Sequence, residues 1–261
     1  LPTFRIRQVC QTKTCTFAIP RDVKKAAVSK VAGEVTEPAA LFGLELSANA
    51  KIGTRANLAL GAIAVVLSGE AEVDAPMGKG KPANRRAMKT LDGVFVDGGN
   101  FSIVSEKGAR LLVALIGTMK DDGGVIYNGG YWADRPGGDK GFIPFALGKD
   151  PLHWGGGKLG ASIGFEGPRA SCTLLAIDSP AGVAAHQHDA EWEMLAILSG
   201  KGAVPLGSAG ERTTLTAQPG MALAIPRGAE HAFQPEALPM VAIQLYVPPG
   251  PEQRFKKLAG K

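Results

Sequence analysis

The chain has 261 residues, 45% of them hydrophobic and 20% charged, with a formal net charge of +5. That length accommodates one large domain or two ordinary ones, and the balance is that of a globular protein. Lys and Arg gather only around Lys79–Arg86 and at the C-terminus (Arg254, Lys256, Lys257, Lys261) without interleaved aromatics, so no nucleic-acid partner is expected. The longest apolar run, Leu58–Leu67, is interrupted by Gly61 and falls short of the ~18–20 residues that cross a bilayer, so no membrane partner is expected either.

With 35 Gly, 18 Pro and few aromatics, the composition predicts an all-β chain of short strands joined by turns. In chain order, the N-terminal stretch Phe4–Val9 alternates like a strand. Cys10 and Cys15 follow, separated by four residues. They form either a local disulfide, which favours an exported protein, or two free thiols. The sequence starts at Leu1 with no visible signal. The expectation is therefore a periplasmic or extracellular location after signal cleavage, with the cytoplasm as the alternative. Asp22–Val35 reads as a short helix with Asp22 near its start. Largely apolar runs at Leu41–Leu46, Ala62–Leu67, Arg110–Ile116, Thr173–Ile177, Glu193–Leu198, Met221–Ile225 and Val241–Val247 read as strands. Pro251–Leu258 reads as a terminal helix. Cys172, inside one of these runs, reads as a buried small hydrophobe.

The middle of the chain differs from both ends. Gly117–Gly160 is rich in Gly and Asp yet holds Tyr127, Tyr131, Trp132, His153 and Trp154, which argues for a packed connection carrying one or two short elements. The expected division is residues 1–125, a connection over 126–160, and residues 161–261. A repeat supports two related units. Ala62-Ile-Ala-Val-Val-Leu-Ser-Gly69 resembles Glu193-Met-Leu-Ala-Ile-Leu-Ser-Gly200. That alignment sets Arg55, Asn57 and Ala62 opposite His186, His188 and Glu193. With a two-residue adjustment of loop length it sets Gly99 and Ser102 opposite Gly228 and His231.

Three of the four His lie between residues 186 and 231. His186 and His188 are two apart, so on a strand they face one way. Glu193 opens the next apolar run, and His231 follows the turn Pro226-Arg227-Gly228. Imidazole and carboxylate together are a ligand set for Fe, Mn, Ni, Cu or Zn. One divalent transition metal is therefore expected on His186, His188, Glu193 and His231. Glu191 shares strand parity with Glu193 and is the rival ligand. His153 reads as a loop residue. A His-x-His pair alone would be weak evidence; the whole constellation is not.

In Gly-x5-His-x-His-x4-Glu-x6-Gly, every position from His186 to Gly200 is met, although Pro180 stands at the first Gly and Gly182 lies two residues nearer. In Gly-x5-Pro-x-Gly-x2-His, Gly220, Pro226, Gly228 and His231 all match, while Gln234 and Pro235 stand near where an Asn is usual. These residues resemble the two signature motifs of the cupin superfamily, strongly over about 170–248 and weakly over about 38–118. The resemblance implies a bicupin: two jelly-roll or double-stranded β-helix barrels, the C-terminal one binding metal and the N-terminal one degenerate, with a homodimer as a further expectation. It also implies a metal-dependent oxidoreductase of the dioxygenase type on a small apolar or aromatic substrate, with Glu193 doubling as a catalytic proton acceptor. Two alternatives stand beside it: a metal-dependent isomerase, lyase or decarboxylase on a sugar or organic acid, and a non-enzymatic ligand- or metal-binding protein. Gln187, Trp192, Phe233, Gln244 and Tyr246 are the candidate pocket residues. The apolar residues expected to face inward, Leu175, Ile177, Leu195, Ile197, Leu223 and Ile225, favour an apolar substrate. The lack of an Arg or Lys clearly inside the barrel disfavours a small dicarboxylate.

Overall fold

A computed structural model describes residues 26–32, 39–55, 61–75, 83–97, 100–116, 141–207 and 213–260. Cys10, Cys15, Asn57, Gly99, Tyr127, Tyr131 and Trp132, like the strand expected at Phe4–Val9, lie outside them. The described residues form two compact units that meet in sequence at Ala146 and Leu147. No helix among them is long and apolar enough to cross a membrane.

The first unit holds β1 (Ala26–Ala32), β2 (Ala39–Leu46), β3 (Ala50–Arg55), β4 (Gly61–Ala75), β5 (Asn84–Lys89), β6 (Asp92–Asp97), β7 (Asn100–Ser105), β8 (Ala109–Ile116) and β9 (Phe142–Ala146). Its sheet runs β1-β2-β8-β4-β6-β9, with β3, β5 and β7 attached through β4 and β7. The second unit holds β10 (Leu152–Trp154), β11 (Leu159–Glu166), β12 (Ser171–Ile177), β13 (Val183–His186), β14 (Trp192–Leu206), β15 (Thr213–Ala217), β16 (Ala222–Ile225), β17 (His231–Val247) and one helix, α1 (Glu252–Leu258). Its sheet runs β10-β11-β12-β17-β14-β15, with β13 on β17 and β16 on β14.

The Leu-Ser-Gly repeat has a structural cause. β4 and β14 are both fifteen-residue strands. The first part of each pairs with one set of neighbours (β6 and β8; β16 and the end of β17). The last part turns to another set (β5 and β7; β15 and the start of β17). The corner falls at Gly69 (φ +80°) and Gly200 (φ +78°). A Cβ there would stand 2.3 Å from the Gly108 carbonyl oxygen or 2.5 Å from the Met240 Cα. Only glycine permits that left-handed backbone at that approach.

Each unit closes over its own apolar core, with Ile103, Val73, Leu111 and Val94 in the first and Leu195, Ile197, Phe233 and Ile225 in the second. One expectation is corrected. The helix expected over Asp22–Val35 is, in its described part, the strand β1, paired antiparallel with β2; the sheet edge offered by β2 outweighs the local preference of its alanines. The described part of the expected connection carries short elements, as the sequence suggests: β9 pairs with β6 and β10 pairs with β11, with turns after each. The terminal helix lies where the sequence places it. It buries Glu252 and Phe255, and Phe255 stacks on Trp154 with ring centroids 5.3 Å apart.

Candidate metal centre

Three strand ends of the second unit, and the loop after one of them, supply the site. β13 ends at His186, which stands opposite His231, the first residue of β17. Glu193 is the second residue of β14 and lies between Tyr246 of β17 and Ile225 of β16. His188 is not on a strand, as the two-residue spacing had led one to expect. It lies just past β13, where its carbonyl accepts a hydrogen bond from the Gly228 N–H at 2.7 Å. The turn after Pro226 thus fixes the second histidine.

The donor atoms of His186, His188, Glu193 and His231 all lie within 4.8 Å of one another. Bonds of about 2.0–2.2 Å to one ion place two donors up to ~4 Å apart, so a small contraction would close the set. Glu193 and His231 are buried to 1% exposure, while His186 and His188 are partly exposed. The Nε2 atoms of His188 and His231 meet the same carboxylate oxygen, Glu193 Oε2, at 3.1 and 2.9 Å. The Nδ1–H groups of His186 and His231 donate to the carbonyls of Ala184 and Ala229, each at 2.9 Å. Those bonds hold both rings and aim Nε2 into the cluster. The other oxygen of Glu193, Oε1, accepts a hydrogen bond from Gln244 Nε2 at 2.8 Å, and Gln244 Oε1 accepts one from Thr173 Oγ1 at 3.1 Å.

The charges agree with this geometry. Burial raises the Glu193 carboxyl, but hydrogen bonds from His188 and His231 together with their charge outweigh it and bring the group down to about 2. Burial and the neighbouring His231 lower His186 to about 4, so it is a neutral imidazole near pH 7. Burial also lowers His231, yet its hydrogen bond to Glu193 and that carboxylate's charge leave it raised overall. Burial first, then the charge of Glu193, raises the Tyr246 phenol well above its ordinary value. A buried carboxylate facing three imidazoles fits one divalent transition metal, and the same donors serve several such ions.

The remaining candidates separate clearly. Phe233 is buried at 1%, with its ring edge-on to His231 at 6.3 Å. Tyr246 is buried at 2%, edge-on to His188 at 5.4 Å. Gln187 is exposed and donates to Asp189 at 2.9 Å. Trp192 is half-buried at the start of β14, opposite Val247. Glu191 is no longer a rival ligand: its carboxyl lies against Gly250, 2.7 Å from where a Cβ there would sit, and outside the donor cluster. His153 is exposed on β10, opposite Gly160. Thr173 was missed as a site residue. Its signal was a polar residue sharing parity with Leu175 and Ile177, as Ser171 does.

No protein-family model matches the chain, and no curated protein matches it in sequence. Solved structures do match. Lactobacillus farciminis oxalate decarboxylase, in a formate complex, aligns with a TM-score of 0.65 at 15% identity, over 88% of this chain and 83% of that one. Bacillus subtilis oxalate decarboxylase, studied for its Mn(II) centres, aligns with a TM-score of 0.62 at 14% identity, over 93% and 88%. The chain is a bicupin by fold. A cupin 2 conserved barrel domain protein from Leptotrichia buccalis also aligns, with a TM-score of 0.54 at 11% identity, over 88% and 92%. At these identities the likeness carries the architecture of the bicupin, and its chemistry rests on its own donor set.

Proposed function

We propose that the second barrel is a metal-dependent lyase, a decarboxylase of small organic acids, using one divalent transition metal held by His186, His188, Glu193 and His231. The observation that carries this reading is where the site is open. Leu175, Ile177, Leu195, Ile197, Leu223 and Ile225 are all 0–3% exposed and pack on one another. This packing as core weakens the basis for the aromatic substrate expected from sequence. A cavity of about 190 Å³ touches His231 beside Gln234 and Pro205, but its walls include none of His186, His188 or Glu193. The donor set is reached on the side of its two partly exposed members, His186 and His188. There the chain is polar: Gln187 and Asp189 flank His188, and Arg227 is exposed in the turn whose Gly228 holds His188.

That setting favours a small, oxygen-rich anion. Bound here, the ion supplies a Lewis acid for charge developing on a substrate oxygen. His186 and His231, tied to backbone carbonyls, orient the donor set. Arg227 adds an exposed cation to the turn that holds His188. Glu193 acts as a ligand and not as a proton acceptor on the substrate, because it is buried and both its oxygens are engaged. The structural neighbours named as oxalate decarboxylases support lyase chemistry over the dioxygenase expectation.

The test is turnover of a panel of mono- and dicarboxylates by protein loaded with Mn, Fe, Co, Ni, Cu or Zn. CO2 release without net O2 consumption is expected from at least one pair of acid and metal. Stoichiometric O2 uptake on aromatic substrates would restore the oxidoreductase reading. Silence across the whole panel would leave a binding protein and end the lyase reading.

A further inference from the structure

The bicupin contains its own control for the metal centre. In the second barrel β14, β17 and β12 set Glu193 opposite Tyr246, Leu195 opposite Gln244, and Gln244 opposite Thr173. In the first barrel β4, β8 and β2 set Ala62 opposite Leu115, Ala64 opposite Val113, and Val113 opposite Phe42. The registers correspond strand by strand. Where one barrel has Glu193, Gln244 and Thr173, the other has Ala62, Val113 and Phe42. A barrel of this kind therefore closes without the polar trio. Burying three polar side chains carries a desolvation cost that apolar residues avoid, so their presence in the second barrel requires a reason other than closure.

The hydrogen bonds supply one. Gln244 and Thr173 are themselves buried, at 3% and 0% exposure. Only the amide NH2 of Gln244 can face the ionised carboxylate, since its oxygen there would oppose another acceptor. That turns the amide oxygen to Thr173, whose hydroxyl supplies the second hydrogen. The chain Thr173–Gln244–Glu193 therefore occupies Oε1, while the imidazoles of His188 and His231 converge on Oε2.

We propose that Gln244, set by Thr173, is a positioning residue that keeps Glu193 presenting one oxygen to the ion, so that a coordination position stays open to solvent and substrate. Without this restraint the carboxylate rotates and offers both oxygens, and the open position closes. The proposal rests on the ligand set and not on the lyase reading, and its test needs no substrate.

The probe is Mn(II) alone, with two readouts: affinity, and the relaxation of solvent water protons by the bound ion. Gln244→Leu is expected to lower Mn(II) affinity ~10–100-fold, the usual range for a residue that orients a ligand. At saturating Mn(II) it is also expected to reduce proton relaxation, because less solvent reaches the ion. Thr173→Val, nearly isosteric, should shift both readouts in the same direction by less, and Thr173→Ser should restore them. If Gln244→Leu fails to fold, the Thr173 pair carries the same test. Unchanged relaxation in Thr173→Val at saturating Mn(II), or equal loss in Thr173→Val and Thr173→Ser, overturns the proposal and leaves the pair with a packing role. Failure of every carboxylate in the turnover panel would leave these readouts untouched.

Discussion

The two barrels share a scaffold and differ in what they bury. β4 and β14 have the same length and nearly the same alternation of buried and half-buried residues, and each turns its corner at a glycine with positive φ. At the second residue of each, one barrel buries Ala62 and the other Glu193, both at 1% exposure. β7 shows the same contrast. Asp74 stands opposite Ser102, so Ala75, the last residue of β4, neighbours Phe101. In the second barrel Leu206, the last residue of β14, stands opposite His231. A buried Phe101, at 3% exposure, therefore takes the place of the buried ligand His231. The difference teaches that this architecture neither needs nor creates a metal site. The site is a set of substitutions made on strands that would close anyway.

Glu193→Ala gives the second barrel the residue that the first already has. It should weaken metal binding by more than ~100-fold, beyond the loss from an orienting residue, while the barrel still folds; metal analysis and a cooperative melt check both halves. A variant that fails to melt cooperatively would mean that the carboxylate belongs to the scaffold after all, and the comparison would break. Next come the corners. Gly200→Ala and Gly69→Ala each force a Cβ into backbone at positive φ, at a cost of about 1–3 kcal/mol. Similar losses by denaturant unfolding would show that both corners carry one scaffold; a harmless Gly69→Ala would set the first barrel apart.

The third expectation concerns metal-free protein, where the histidines of the second barrel pull in opposite directions. His186 has a folded value of about 4 against 6.5 unfolded. Between those values the unfolded chain binds more protons, so stability falls as pH falls. His231 has a folded value raised above 6.5. The folded state then binds more protons above that pH, so stability falls as pH rises through the raised value. Glu193, lowered to about 2 from 4.5, adds a further loss below pH 4.5. Unfolding midpoints of the metal-free protein should peak near pH 6.5, and the alkaline loss should disappear in His231→Phe, which copies Phe101. A midpoint that rises steadily from pH 6.5 to 9 would contradict this. The smallest effect is expected at the rim. Arg227→Ala should raise KM for a carboxylate a few-fold with kcat little changed, in keeping with the ~0–1 kcal/mol of an exposed charge pair. A large fall in kcat would instead place Arg227 in the chemistry.

The ligands were legible because their spacing encodes strand ends. His186 and His231 are the last residue of β13 and the first of β17, and Glu193 is the second of β14, where the turn residues also show. The alignment that sets Ala62 on Glu193 and residues 91–102 on residues 220–231 agrees with the registers Ala62 with Val96 and Glu193 with Ile225. The match failed one turn later. The chain between Val96 and the inward Phe101 is one residue shorter than that between Ile225 and His231, so Ser102 falls on the other, half-buried parity. A one-residue slip reverses every side chain on a strand, and no local composition signals it. The apolar stripe was read correctly as inward, but a sequence does not distinguish a filled core from a lined pocket. Nor could it show that β1 would choose its neighbour's edge over a helix, since that choice is made by β2.

The bond from Gly228 to His188 ties the two ligand-bearing segments together. Glu193 and His231, 38 residues apart in the chain, meet only when β14 and β17 have paired. The donor set therefore exists only where those two strands are paired. An ion bound there grips the paired state alone, so its binding energy opposes unfolding. Loaded protein should open more slowly than metal-free protein, and the ion becomes a latch on a finished barrel.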